Sequence, residues 1–155
     1  VSIAVENRFR EVEKLVLAAQ ARNLDPEVAA CYCKLACIMV CGAVERSVET
    51  LISDRVGSRS PPQVKSFLKA FFQRGTNYDC EQIVNLLYRF DSDWGHAFRA
   101  FVDNNDRIKT AISSCYSVRN SIAHGGGQSL GPVALKQYFD GALDLIVHLE
   151  QTLRT

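Results

Sequence analysis

The chain has 155 residues, 47% of them apolar and 23% charged, with a formal net charge of +1. That length supports one compact core, so a single domain over residues 1–155 is expected. The near balance of charge excludes the large basic excess of a simple nucleic-acid or anionic-membrane binder. The charge is polarised all the same. Arg46, Arg55, Arg59, Lys65, Lys69 and Arg74 outnumber Glu49 and Asp54 in one stretch, while Asp79, Glu81, Asp91, Asp93, Asp103 and Asp106 outnumber Arg89 and Arg99 in the next.

The chain opens on Val1 instead of methionine, from which a piece of a longer or processed polypeptide is expected, and no signal-peptide pattern follows. Helical periodicity then recurs and strand alternation does not. Val5, Phe9, Val12, Val16 and Ala19 mark one face of a first helix. Asp25-Pro26 offers a cap and a first-turn proline for a long second helix reaching about Ile52. Its first half is apolar nearly all round, which predicts burial by several neighbours. The apolar stretch Val28–Val44 is broken by Lys34 and Gly42 and falls short of the roughly 20 residues of a bilayer span, so we expect a central core helix and no membrane partner.

After the loop RVGSRSPP, Ser60 is placed to cap a third helix with Val64, Phe67, Leu68, Phe71 and Phe72 as its stripe. Two shorter amphipathic segments follow, with Ile83, Leu86, Leu87 and Phe90 inward on one and Trp94, Ala97, Phe98, Phe101 and Val102 inward on the other. A helix from about Asp106 to His124 comes next. A last helix opens at Pro132 and carries Leu135, Phe139, Ala142, Ile146, Leu149 and Leu153 as a packing seam. The fold class is all-α.

Four of the six cysteines, Cys31, Cys33, Cys37 and Cys41, crowd into the second helix, and Cys80 and Cys115 lie in other apolar segments. This is no disulfide framework; they read as reduced, buried, small apolar residues of a cytoplasmic protein. Without Cys-x-x-Cys or Cys/His ligand spacing they do not make a zinc site, and no metal or cofactor is expected.

The stretch SVRNSIAHGGG, residues 117–127, concentrates polar chemistry at the end of an apolar helix. On a helix turning about 100° per residue, Arg119 and His124 lie about 140° apart, so they do not share a face. Tyr116, Asn120 and His124 do form a row, with Ser113 and Ser117 alongside. Arg119 sits at the margin of the apolar side, where Glu45 and Glu49 are the expected partners. Gly125 is placed to end the helix in the left-handed conformation, leaving His124 beside free carbonyls that favour its cationic form. The three glycines are not a P-loop, since no Gly-Lys-Ser/Thr follows. Taken alone, these residues read more economically as an arginine paired with a core glutamate and a histidine hydrogen-bonded at a helix end. His96 and His148 are assigned to the surface or to local hydrogen bonds.

The segment RNSIAHG, on the penultimate helix of an all-α bundle, resembles the Arg-x4-6-His motif of the HEPN superfamily of ribonucleases and RNA-associated proteins. The segments FFQRGTNYDCEQIVNLLYRFDSDW and AVERSVETLI are similar to its RiboL-PSP-HEPN subgroup. The resemblance implies a HEPN-like helical bundle with two long core helices and additional shorter ones. It also implies a metal-independent endoribonuclease, acting as a homodimer whose two motifs share one cleft, in a toxin–antitoxin or antiphage defence setting. An antitoxin or a nucleotidyltransferase would be its protein partner.

On that reading His124 is general base or acid, Arg119 stabilises the transition state, and Asn120 orients His124 or binds phosphate. Tyr116 could stack on a base beside Ser117, although a tyrosine on a helix flank more often packs. Arg46, with the basic strip it opens, would flank the cleft, unless that strip is an ordinary solvated face. Two alternatives stay open: a catalytically inactive HEPN module for RNA or protein binding, and a helical dimerisation domain.

Overall fold

The structure, a computed structural model, describes residues 2–155. Among them are seven helices and no strand: α1 (Ile3–Ala19), α2 (Pro26–Gly57), α3 (Pro62–Phe72), α4 (Cys80–Phe90), α5 (Ser92–Asp103), α6 (Asp106–Ala123) and α7 (Pro132–Arg154). Most starts are written into the sequence as caps. Asp25 accepts from the backbone N–H groups of Glu27 and Val28, Asp79 from Gln82, and Asp91 from Asp93. Each satisfies amides that a helix leaves unpaired in its first turn.

The two longest helices, α2 and α7, pack side by side at the centre, with α1 and α6 completing the inner layer and α3, α4 and α5 outside. All six seam residues of α7 are buried, as are the five of α1. At roughly 1.5–3 kcal/mol for each large side chain removed from water, this inner layer is the main source of stability. Two glycines permit unusually close approach. A methyl on Gly141 of α7 would stand 2.8 Å from the Ala111 side chain of α6, and one on Gly95 of α5 would stand 2.3 Å from the Tyr88 ring of α4.

Several expectations are corrected. The second helix runs to Gly57, well past Ile52. Ser60 caps nothing: its hydroxyl donates to the Val56 carbonyl, and Pro61 stands at the start of α3. Only Leu68 and Phe72 of the α3 stripe are buried, with Phe67 66% exposed, because α3 is an outer helix packed mainly on α2. Ala97 of α5 is exposed rather than inward.

The first half of α2 is not buried all round. Val28, Leu35 and Ile38 are 41–47% exposed and Cys31 is exposed too, because α1, α6 and α7 cover only one side of the helix. By length and composition α2 could cross a bilayer, yet here it is the core helix of a bundle. His148 does more than decorate the surface: it stacks on Phe101, ring centroids 3.6 Å apart, tying α7 to α5. His96 makes the local bond expected of it, donating from Nδ1 to the Ser92 carbonyl at 2.7 Å.

Candidate active site

The end of α6 is a Schellman motif. Gly125 takes φ +72°, Gly126 N–H donates to the Ser121 carbonyl at 2.7 Å, and Gly125 N–H donates to the Ile122 carbonyl at 3.2 Å. Both bonds are those the motif requires. A side chain at Gly126 would collide with the Ser121 hydroxyl at 2.2 Å, whereas a methyl on Gly125 or Gly127 would meet nothing within 4 Å. Two different constraints thus operate in one glycine run: backbone handedness at Gly125 and space at Gly126. The result presents His124, the cap residue, exposed beyond the last turn and without a side-chain hydrogen bond among the described residues.

One turn back, Arg119 turns toward α2. Its Nη2 donates to Glu45 Oε1 at 3.2 Å and its Nη1 to Asn120 Oδ1 at 3.1 Å. Glu49, the other expected partner, does not reach Arg119. It accepts instead from Arg46 at 2.9 Å, one turn away on its own helix. Asn120 is likewise engaged with Arg119 and not with His124, so the expected orienting contact is not made in this conformation. Arg119 and His124 share no hydrogen bond, consistent with their angular separation on α6.

Burial raises the Glu45 pKa more than the neighbouring Arg119 lowers it, and Glu49 adds to the rise. The carboxylate is therefore partly desolvated without full compensation. Beneath it, Tyr116 takes the packing role and not the base-stacking one. It is only 6% exposed, so it cannot stack on a base. Its place in the row with Asn120 and His124 is real, but one helical turn deeper the row has left the surface for the interior between α2 and Tyr78. Burial pushes its phenol far up. No hydrogen bond of normal geometry satisfies the hydroxyl, although the Glu45 carboxylate and the Tyr78 main chain are close enough to influence its ionisation. Ser117 is exposed on α6, and the Arg46 side chain is 71% exposed on α2.

Below the polar layer, the Cys115 sulfur of α6 lies 3.5 Å from that of Cys41 and 3.8 Å from that of Cys37, both on α2. Hydrogen bonds to both neighbours, with burial added, hold the Cys115 thiol far above its ordinary value. All six cysteines are free, and Cys31 alone is exposed, against the expectation that every one is buried. The sequence reading missed Tyr78, whose buried ring lies where Glu45, Glu49 and Tyr116 converge. Its signal is an aromatic residue just before the Asp79 cap with buried Ile83 at the fourth helical position, the pattern of a hydrophobic staple.

Comparison with curated proteins and with solved structures gives no match. A family model, RiboL-PSP-HEPN, matches residues 3–155. It spans nearly the whole chain, including the α6 segment with Arg119, Asn120 and His124 and the α2 segment that supplies Glu45. The chain belongs to the RiboL-PSP-HEPN family.

Proposed function

We propose that the protein is a metal-independent endoribonuclease that cuts RNA through its own ribose hydroxyl. The observation that carries this reading is the Arg119–Glu45 pair. Both side chains are partly open, 28% and 22% exposed, and such a pair contributes about 1 kcal/mol or less to stability. Burial raises the Glu45 pKa more than Arg119 lowers it, so the pair leaves this carboxylate incompletely compensated. Two of its five N–H donors are engaged, leaving three for a phosphate.

In the reaction proposed, the 2′-oxygen attacks phosphorus as the bond to the 5′-oxygen breaks. His124 takes the proton from the 2′-hydroxyl or returns one to the leaving oxygen. Arg119 meets the charge that builds on the phosphoryl oxygens. The products carry 2′,3′-cyclic phosphate and 5′-hydroxyl ends.

The composite site of a homodimer is part of the same proposal. The exposed stripe Val28, Cys31, Leu35 and Ile38 runs along α2 to Gly42, where a methyl would meet nothing within 4 Å, and ends one turn from Glu45. A second copy seated on this stripe would bring its own motif to the cleft. The defence-system setting, and an antitoxin or nucleotidyltransferase as partner, follow from the family resemblance alone. A second reading, a non-catalytic module that binds RNA or protein, is favoured by one contact: Asn120 is turned to Arg119, leaving His124 without an orienting partner.

The test is incubation of the purified protein with mixed RNA in EDTA. Cleavage is expected to persist under chelation, to fall about 10²–10³-fold in Arg119→Ala and about 10²–10⁴-fold in His124→Ala. Cleavage that survives both substitutions sinks the assignment, and cleavage lost on chelation identifies a metal enzyme. Inert protein that still cross-links RNA gives the binding-module reading. A strictly monomeric mass at micromolar concentration removes the shared cleft.

A further inference from the structure

Between the C-terminal half of α2 and α3 lies a cleft of about 830 Å³, within the range of built ligand sites. It is lined by Arg46, Glu49 and Asp54 of α2 and by Lys65 and Lys69 of α3, with Leu68 and Phe72 only 3% and 7% exposed at its apolar side. The two lysines are one helical turn apart, on one side of α3 and about 6 Å from each other along the axis. Among the described residues neither makes an ion pair or a side-chain hydrogen bond. The Lys65 stem runs over Gly57, its Cγ 3.9 Å from where a methyl on that glycine would sit. The helix junction therefore holds the base of this side chain in the cleft while its ammonium stays uncommitted.

The cleft adjoins the Arg119 site. Arg46 follows Glu45 directly in the chain and bonds Glu49, which lines the cleft and whose charge is felt at Glu45. Three cations meet two carboxylates in this lining, Arg46 is bonded to Glu49, and the two lysines remain for the phosphates of a nucleic-acid strand.

We infer that the α2/α3 cleft binds the RNA strand next to the cut, taking the strand as the one presented to Arg119 and His124. Lys65 and Lys69 hold its phosphates. None of these residues belongs to the cutting machinery.

The inference is tested by fluorescence anisotropy of a labelled single-stranded RNA oligonucleotide with His124→Ala protein, in which cutting is expected to be slowed about 10²–10⁴-fold. The double variants Lys65→Gln/Lys69→Gln and Lys65→Glu/Lys69→Glu are added in the same background. Both lysines are exposed, and circular dichroism checks that each variant is folded. Affinity is expected to fall on the order of tenfold, and the slope of log K against log salt to become shallower by about 1.4, the contribution of two single-strand phosphates. Unchanged affinity and slope in both variants overturn the inference. Cutting activity is read separately in the His124 protein. If that protein cuts RNA while the lysines leave binding untouched, the cleft assignment fails and the ribonuclease reading stands. If it does not cut but binding still depends on the lysines, the cleft stands and the ribonuclease reading fails.

Discussion

Helix α6 meets its two long neighbours in opposite ways. Against α7 the backbones close in at Gly141, with Ala111 filling the space a side chain would need, and the flanking Ile108, Ile112 and Leu145 are all buried. Against α2 the contact begins as tightly as that, with the Cys37, Cys41 and Cys115 thiols in mutual contact, and then opens. By Arg119 and Glu45 it is polar, partly hydrated and imperfectly satisfied. The first seam is explained by stability alone; the second gives up packing at the end where Arg119, Asn120 and His124 stand. The site proposed for cutting therefore lies at the looser of the two contacts that α6 makes.

Substitutions can break or sharpen that contrast. The largest effect is expected at the closed seam. Gly141→Val forces α6 and α7 apart and should cost about 2–3 kcal/mol, seen as a lowered denaturation midpoint, while activity per folded molecule stays unchanged. A specific loss of activity in folded protein would mean that the two seams are not separable. Next is Gly125→Ala at the open end. There is room for the methyl but not for the positive φ, so about 1–2 kcal/mol is expected, and cutting should fall more than stability because His124 is re-aimed.

Smaller still is Tyr116→Phe. It removes a buried hydroxyl that has no proper partner, so stability should change by less than about 1 kcal/mol and in the favourable direction. A large loss on chemical denaturation would show that the phenol supports Glu45 through a bond the present conformation does not make.

The smallest effect concerns the far side of α7, where His148 stacks on Phe101. Burial lowers the His148 pKa, so the unfolded chain holds more protons between the two values. Its contribution to stability is whole above the ordinary histidine pKa and is lost as pH falls through the lowered one. His148→Phe should flatten the decline in melting temperature between about pH 7 and 5, and an unaltered decline would assign that sensitivity elsewhere.

The sequence by itself determined the helices and several of their ends. The Asp25, Asp79 and Asp91 caps, the stripes of α1 and α7 and the left-handed Gly125 are set by contacts within one or two turns, so local pattern specifies them. Tertiary structure decided the choice of partners. Arg119 took Glu45 and left Glu49 to Arg46, although both glutamates stood on a plausible side of α2. The bond joins residues 74 positions apart, and which carboxylate it reaches depends on the register in which α2 and α6 lie against each other. The choice between packing and stacking at Tyr116 was decided in the same way: helical spacing aligned it with Asn120 and His124, but only the depth of α6 between α2 and Tyr78 decides which of the three meets water. The exposed stripe of α2 and the lysine-lined cleft beside α3 follow from the same packing, since spacing gives the angle of a residue on its helix and never what stands opposite.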